Sequence, residues 1–227
     1  MVTPVEREAL VGLLRGADLR GCHLEIGTAA GKTLREMILA YQGRELPPFM
    51  AIDTFDYFPN QLETIGQNLR AVGIDPGCVT FRKSTSYAAV FKALAAKERF
   101  AFIFIDAQHD AFHVMQDLLW TRMLLPGGYV CFHDYAQRFP GVVWTADTFV
   151  KKYPHYRRVD LAGNLLILRK ESVGSTPEVS SFDLARAFAF RLKCRLDKFA
   201  KRMRPSGAGP APRKASAQSK PGDPTLM

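Results

Sequence analysis

Six consecutive apolar residues with no polar alternation, Phe100-Ala101-Phe102-Ile103-Phe104-Ile105, constrain this chain more than any other stretch. A strand with one wet face alternates apolar and polar side chains. A strand that is apolar throughout is expected to be covered on both faces, as in the middle of a parallel sheet. The flanking sequence supplies the covers. Strand patterns at 22–26, 49–53, 79–83, 100–105 and 129–133 alternate with helical patterns near 31–42, 60–72, 86–97, 109–124 and 142–152. Such alternation predicts a mostly parallel α/β sheet wound on both sides. Two late runs, His155–Val159 and Leu165–Arg169, flank Ala162-Gly163-Asn164, a hairpin signal, so an antiparallel strand closes the sheet.

The first strand runs into Leu24-Glu25-Ile26-Gly27-Thr28-Ala29-Ala30-Gly31-Lys32-Thr33. This reads as strand, tight turn and helix start. Glycine lets a ligand approach the backbone, and the helix N-terminus offers unpaired N–H groups. Three nucleotide readings compete. A phosphate-binding P-loop needs four residues between its first glycine and Gly-Lys-Thr; here only Thr28, Ala29 and Ala30 intervene. The dinucleotide fingerprint needs glycine at position 29, which is Ala. What fits is Glu25-x-Gly27-x-x-x-Gly31. It resembles the first motif of class I S-adenosylmethionine-dependent methyltransferases, and the resemblance makes Glu25, Gly27, Thr28, Ala29 and Gly31 cofactor-binding candidates.

In doubly wound sheets ligands bind outside the carboxyl ends of the strands. The second strand ends in Asp53, whose two oxygens suit the two hydroxyls of a ribose; capping the next turn is the plainer alternative. The third ends at Lys83-Ser84-Thr85, where Ser84 can meet an adenine edge or serve as a helix cap. The fourth ends in Asp106 and the fifth in His133-Asp134. Neighbouring strands are about 4.8 Å apart. Two carboxylates that close repel unless a proton or cation lies between them. Asp106 and Asp134 are therefore candidate ligands for Mg²⁺ or another divalent metal. His133 would shift the preference towards Mn, Fe or Zn, although strand alternation points His133 and Asp134 to opposite faces.

Ile105-Asp106-x-x-His109, then Pro126-Gly127-Gly128, an apolar strand, His133-Asp134 and Gly141-Val142 resemble the metal-associated O-methyltransferase branch of class I, which includes sugar and macrolide O-methyltransferases. The resemblance covers about residues 20–170. It implies a Rossmann-like doubly wound, seven-stranded, mostly parallel sheet with an antiparallel last strand. It also implies S-adenosylmethionine as cofactor, with Asp106 beside it, and metal held by Asp106 and Asp134, with His133 as a further ligand. Many relatives carry Asp-Gly-Asp where this chain has Asp106-Ala107-Gln108. The missing acid leaves metal dependence and the choice of base open, and His109 is the natural replacement. A neutral hydroxyl is a poor nucleophile, and an imidazole is suited to remove its proton near neutral pH. His113, one turn further along the helix, is a second candidate.

The chain of 227 residues carries a formal net charge of +9, unevenly spread. Residues 1–170 hold 20 Lys and Arg against 17 acids, and residues 171–227 hold 11 against 5. The basic character belongs to an appended C-terminal element. The expected organisation is an N-terminal helix within 1–20, a methyltransferase domain at 21–170, a linker and basic amphipathic helix at 171–204, and a disordered tail at 205–227. In the helix Phe182, Ala185, Phe188, Leu192, Leu196, Phe199 and Met203 form one apolar stripe beside eight Lys/Arg. It reads either as a membrane or acidic-partner helix, at about 1 kcal/mol per basic residue near an anionic leaflet, or as a helix docked on its own domain or a dimer mate. No nucleic-acid module is recognisable. No membrane span or signal-peptide pattern is visible. Four scattered cysteines argue for reduced thiols. The expectation is a cytoplasmic enzyme, peripheral at a membrane if the helix binds one, that methylates a hydroxyl on a small molecule, sugar or glycan precursor. A homo-oligomer is left open. The alternative is a non-catalytic Rossmann-like module recruited to a membrane or polyanion by its basic helix.

Overall fold

The computed structural model describes residues 2–203. The segment 205–227, expected to be disordered, lies outside the described residues. The strands are β1 (Cys22–Ile26), β2 (Phe49–Asp53), β3 (Val79–Lys83), β4 (Phe100–Ile105), β5 (Leu124–Phe132), β6 (Tyr156–Ala162) and β7 (Leu165–Lys170). They form one seven-stranded sheet in the order β3-β2-β1-β4-β5-β7-β6. The first five are mutually parallel, and β7 runs antiparallel between β5 and β6. This is the doubly wound, mostly parallel sheet that the alternation of patterns predicts, with the seven strands and antiparallel closing strand that the motif resemblance implies.

The helices are α1 (Pro4–Gly16), α2 (Lys32–Leu39), α3 (Gln61–Arg70), α4 (Ser86–Ala95), α5 (Ala111–Asp117), α6 (Pro140–Lys152) and α7 (Ser181–Met203). The pattern near 109–124 differs from one long helix: α5 ends at Asp117, and Leu118–Met123 tightens into a 3₁₀ turn that feeds β5 directly. Every β4 side chain is buried. Phe100, Ile103 and Ile105 join the core under α4, α5 and α6, while Phe102 and Phe104 join the core under α1, α2 and α3. Burial of each such side chain contributes roughly 1.5–3 kcal/mol, so the strand with no polar face becomes the centre of both layers.

α1 starts with a capping box. The Thr3 hydroxyl accepts from the Glu6 amide, and Glu6 Oε2 accepts from the Thr3 amide at 2.6 Å. Leu10 and Leu14 fix the helix against the α2 side of the sheet. At the other end, Ser180 and Asp183 form a reciprocal cap on α7. Asp183 also receives Lys152 Nζ at 2.5 Å and the Tyr153 hydroxyl at 2.9 Å. Just upstream, Arg122 donates to the carbonyls of Glu178 and Val179, and buried Lys170 lies 2.7 Å from Glu178. α7 therefore leaves the sheet from a fixed point. It lays Leu184, Ala187 and Phe190 on the α5–α6 layer, with Phe190 stacked on Trp144 at 4.6 Å. The stripe read from the sequence is not the docked face: Phe182, Leu192, Leu196 and Phe199 are exposed.

Candidate active site

The sheet reverses its winding between β1 and β4, which opens a crevice at their carboxyl ends. The turn after β1 enters it. Gly27 has φ of 84° and packs flat against the backbone of Asp106 and Ala107 at the end of β4. Asp53 ties the turn down from β2: Oδ2 accepts from the Thr28 amide and Oδ1 from the Phe55 amide, each at 2.8 Å. Each oxygen keeps a lone pair for one further donor. Ala29 and Gly31 both take left-handed backbone, and Gly31 precedes α2. Two buried atoms here, Glu25 Oε2 and Thr28 Oγ1, make no well-aligned hydrogen bond, although the Thr28 hydroxyl is set against the Glu25 carboxyl. Burial, reinforced by the negative charge of Asp106, outweighs that hydroxyl and pushes the Glu25 carboxyl well above the usual range. Polar atoms so poorly satisfied beside an open turn fit a polar ligand such as the cofactor. Thr85 is the α4 cap, accepting from the Ala88 amide. Ser84 is free of that duty, and its amide donates to the Asp53 carbonyl.

The second half of the site lies at the ends of β4 and β5. Asp106 Oδ1 is 3.1 Å from His133 Nδ1, and Asp134 Oδ2 is 3.6 Å from the same nitrogen. The two side chains of His133 and Asp134 do not diverge as strand alternation predicts. β5 ends at Phe132, and Asp134 takes left-handed backbone with φ of 57°, which turns its carboxylate back towards His133. Aspartate tolerates that conformation better than most residues. Asp106, His133 and Asp134 thus offer three ligand atoms within 4.8 Å of one another.

Two carboxylates and an imidazole at this spacing fit a divalent metal. His133 Nε2 lies 3.4 Å from Glu6 Oε2, so Glu6 favours the tautomer with its proton on Nε2 and leaves Nδ1 to face the two acids. Without a cation between them, a proton can take that place. Burial alone would lower the His133 pKa, but Asp106, Asp134 and Glu6 outweigh it and hold the imidazole above its ordinary value. Metal and proton compete for one position.

His109, on the loop before α5, stacks on Phe139 with ring centroids 4.4 Å apart. Its Nε2 approaches Asp134 Oδ2 to 2.9 Å without hydrogen-bond alignment, and the nitrogen has no other partner. Arg138 donates to the other Asp134 oxygen at 3.0 Å. His113 is committed elsewhere: its Nδ1 pairs with Asp110, the α5 cap, at 2.6 Å. The structure therefore brings Glu25, Gly27, Thr28 and Asp53 together at the turn and His109, His133 and Asp134 at the other half, with Asp106 at the junction: its backbone packs on Gly27 and its carboxylate faces His133. Sequence reasoning missed Glu6, Arg138 and Phe139. Thr3-x-x-Glu6 was readable as a capping box, but nothing local shows that the same carboxylate reaches His133.

Residues 24–135 match a family model described as a methyltransferase domain. The chain carries an S-adenosylmethionine-dependent methyltransferase domain. The match runs from β1 through Asp134 and Tyr135, so it contains both halves of the crevice except Glu6 and the Arg138–Phe139 support. A search of curated proteins finds no match to the sequence. Solved structures share the fold at low identity. An O-methyltransferase from Bacillus cereus in complex with SAH superposes with a TM-score of 0.62 at 16% identity, over 76% of this chain and 83% of that one. The O-methyltransferase NovP gives 0.57 at 16% identity, over 73% and 79%. CalS11, a TDP-rhamnose 3'-O-methyltransferase of calicheamicin biosynthesis, gives 0.56 at 16%, over 72% and 76%.

Proposed function

We propose that this methyltransferase acts on oxygen: its acceptor is a hydroxyl on a small molecule, sugar or glycan precursor. In this reading His109 is the general base, and Asp106, His133 and Asp134 hold a divalent metal. One observation carries it: a histidine nitrogen without an aligned hydrogen bond, His109 Nε2, lies 2.9 Å from Asp134, one of two carboxylates that converge with His133 within 4.8 Å. When bound, S-adenosylmethionine supplies an electrophilic methyl group on a sulfonium, and a divalent ion supplies acidity to a hydroxyl brought beside it.

The chain's own residues do the rest. Glu25, Asp53 and Ser84 offer acceptors and a hydroxyl to the cofactor's amino, ribose and base groups, and the Gly27–Gly31 turn shapes its cradle. With the cofactor bound, the crevice would have to align the acceptor hydroxyl with the methyl group. His109 Nε2 would accept the proton that the hydroxyl gives up on methyl transfer. Asp134 stabilises the imidazolium that results, Phe139 fixes the ring plane, and Arg138 holds Asp134 in place.

The test is calorimetric titration with S-adenosylmethionine, with and without Mg²⁺, beside ATP and NAD. It is followed by transfer of a labelled methyl group to hydroxyl acceptors by the wild type and His109→Gln. Binding of S-adenosylmethionine alone among the nucleotides, with transfer lost in His109→Gln, supports the reading. Binding of ATP instead would overturn the cofactor assignment, and undiminished transfer in His109→Gln would remove that residue from the mechanism.

A further inference from the structure

α7 has two apolar faces, and only one is covered. Leu184, Ala187 and Phe190 meet the domain. The other face carries Phe182, Ala185, Ala189, Leu192, Leu196 and Phe199 at steps of three and four. Phe182, Leu196 and Phe199 are 67%, 67% and 63% exposed. At 3.6 residues per turn these six fall within an arc of about 100°. A contiguous stripe of large apolar side chains is unlike the scattered singles of an ordinary surface and marks an interaction face.

Charge decides what covers it. Arg186 and Lys193 border the stripe on one side and Arg195 on the other. Asp183 is buried on the docked side, and Asp197, about 20° beyond Arg186, leaves that border net basic. The three-and-four spacing would suit a paired helix. A second copy, however, would set like charges against like along both borders, where paired helices place opposite ones. A flat anionic surface satisfies both borders at once and receives the apolar stripe between them, with the basic stems extended along it. The sequence that follows adds Arg213, Lys214 and Lys220 against Asp223, which reinforces the same sign.

The helix is also anchored to deliver such a contact to the domain. Its first turn is held by Asp183 through Lys152, Tyr153 and Ser180. Further along, Phe188 meets Phe112 edge-on at 5.4 Å, and Arg191 lies 3.4 Å from Asp110, the residue after His109. A surface bound by α7 is thus one rigid element away from the loop that carries His109.

We propose that the outward face of α7 seats this protein on a membrane surface rich in anionic lipid headgroups. This seating is independent of the acceptor and of any metal.

The test is sedimentation of the full chain with vesicles of phosphatidylcholine alone and with about 30% phosphatidylglycerol, at low and high salt. The expected result is binding to the anionic vesicles only, weakened by salt, and at least about tenfold weaker in Leu192→Ser/Leu196→Ser/Phe199→Ser. Because those side chains are exposed, the variant should keep the wild-type melting temperature. If it does not, Lys193→Glu/Arg195→Glu replaces it and should lose binding equally. Failure to sediment with anionic vesicles, or equal sedimentation of variant and wild type, overturns the proposal. Duplex DNA bound equally by both forms would assign the helix to nucleic acid. A wild-type dimer in sedimentation velocity that the variant abolishes, without vesicle binding, would assign the face to a second copy. Either also overturns it.

Discussion

Gly27→Ala separates the cofactor turn from the rest of the domain. A methyl group at this position would sit 2.7 Å from both Ala107 Cα and the Asp106 carbonyl carbon. Ordinary carbon contacts are about 3.5–4.0 Å, so β1 and β4 must part by roughly 1 Å at the crevice. Both neighbours are backbone and cannot rotate away. The left-handed φ of 84° adds about 1–2 kcal/mol of strain for a residue with a Cβ. With overpacking of about 1–3 kcal/mol, the expected stability loss is about 3 kcal/mol, or roughly 6–12 °C in Tm for a chain of this size. Displacement by roughly 1 Å also moves the Thr28 amide off Asp53, and such misplacement is expected to weaken S-adenosylmethionine binding about 100-fold. Gly43→Ala is the control. Gly43 has nearly the same φ, 80°, but nothing within 4 Å of the added methyl, so it carries the strain without the clash. Calorimetric affinity and thermal melting of both variants decide the matter. If Gly27→Ala binds S-adenosylmethionine within threefold of Gly43→Ala, the close approach of turn and strand does not shape the cofactor site.

Three further perturbations probe other parts. Asp134→Asn keeps the left-handed backbone and removes the charge 2.9 Å from His109; at an effective dielectric of about 40 for this part-exposed pair, that charge is worth about 3 kcal/mol to an imidazolium. Turnover should fall about 100-fold with cofactor affinity unchanged, and an unaltered rate would show that Asp134 does not assist His109. Glu178→Gln leaves Lys170 buried without its counter-charge and should cost about 3–5 kcal/mol in urea unfolding; a loss under 1 kcal/mol would mean that the pair does not clamp the segment before α7. Asp117 is buried with Oδ2 unpartnered, and burial raises its carboxyl to about 7. The folded state then keeps a proton that the unfolded chain releases, so wild-type stability falls as pH rises from about 4 to 7, by at most about 4 kcal/mol. Asp117→Asn should match the wild type at pH 4 and exceed it increasingly up to pH 8; parallel urea midpoints across that range would refute the burial argument.

The parts of the site that lie on strands were legible because strand ends are local features. Asp53, Asp106 and His133 each follow an apolar run, and the spacing of Gly27 and Gly31 excludes a P-loop by counting alone. Strand alternation sets His133 and Asp134 on opposite faces because periodicity assumes that β5 continues, whereas the chain turns left-handed at Asp134 and both side chains meet Asp106. His113 was read by its helical spacing from His109, but local pairing with Asp110 claimed it. In α7 the periodic stripe is mostly outward-facing, and the helix docks through another face. A helix can dock through smaller residues such as Ala187, whose burial leaves little trace in a hydrophobic pattern. Glu6 escaped because its role needs a contact between chain segments that only the fold makes adjacent.

That last contact ties distant parts of the chain to one atom group. Glu6 receives the Thr3 amide from its own helix and the Asn164 amide from the turn between β6 and β7, while lying against His133. The candidate cofactor turn draws only on segments from Glu25 to Asp106, whereas the acid–histidine half is braced by residues 6 and 164, near the two extremes of the domain. A change in the β6–β7 turn, far from either half in sequence, therefore reaches His133 through a single shared carboxylate.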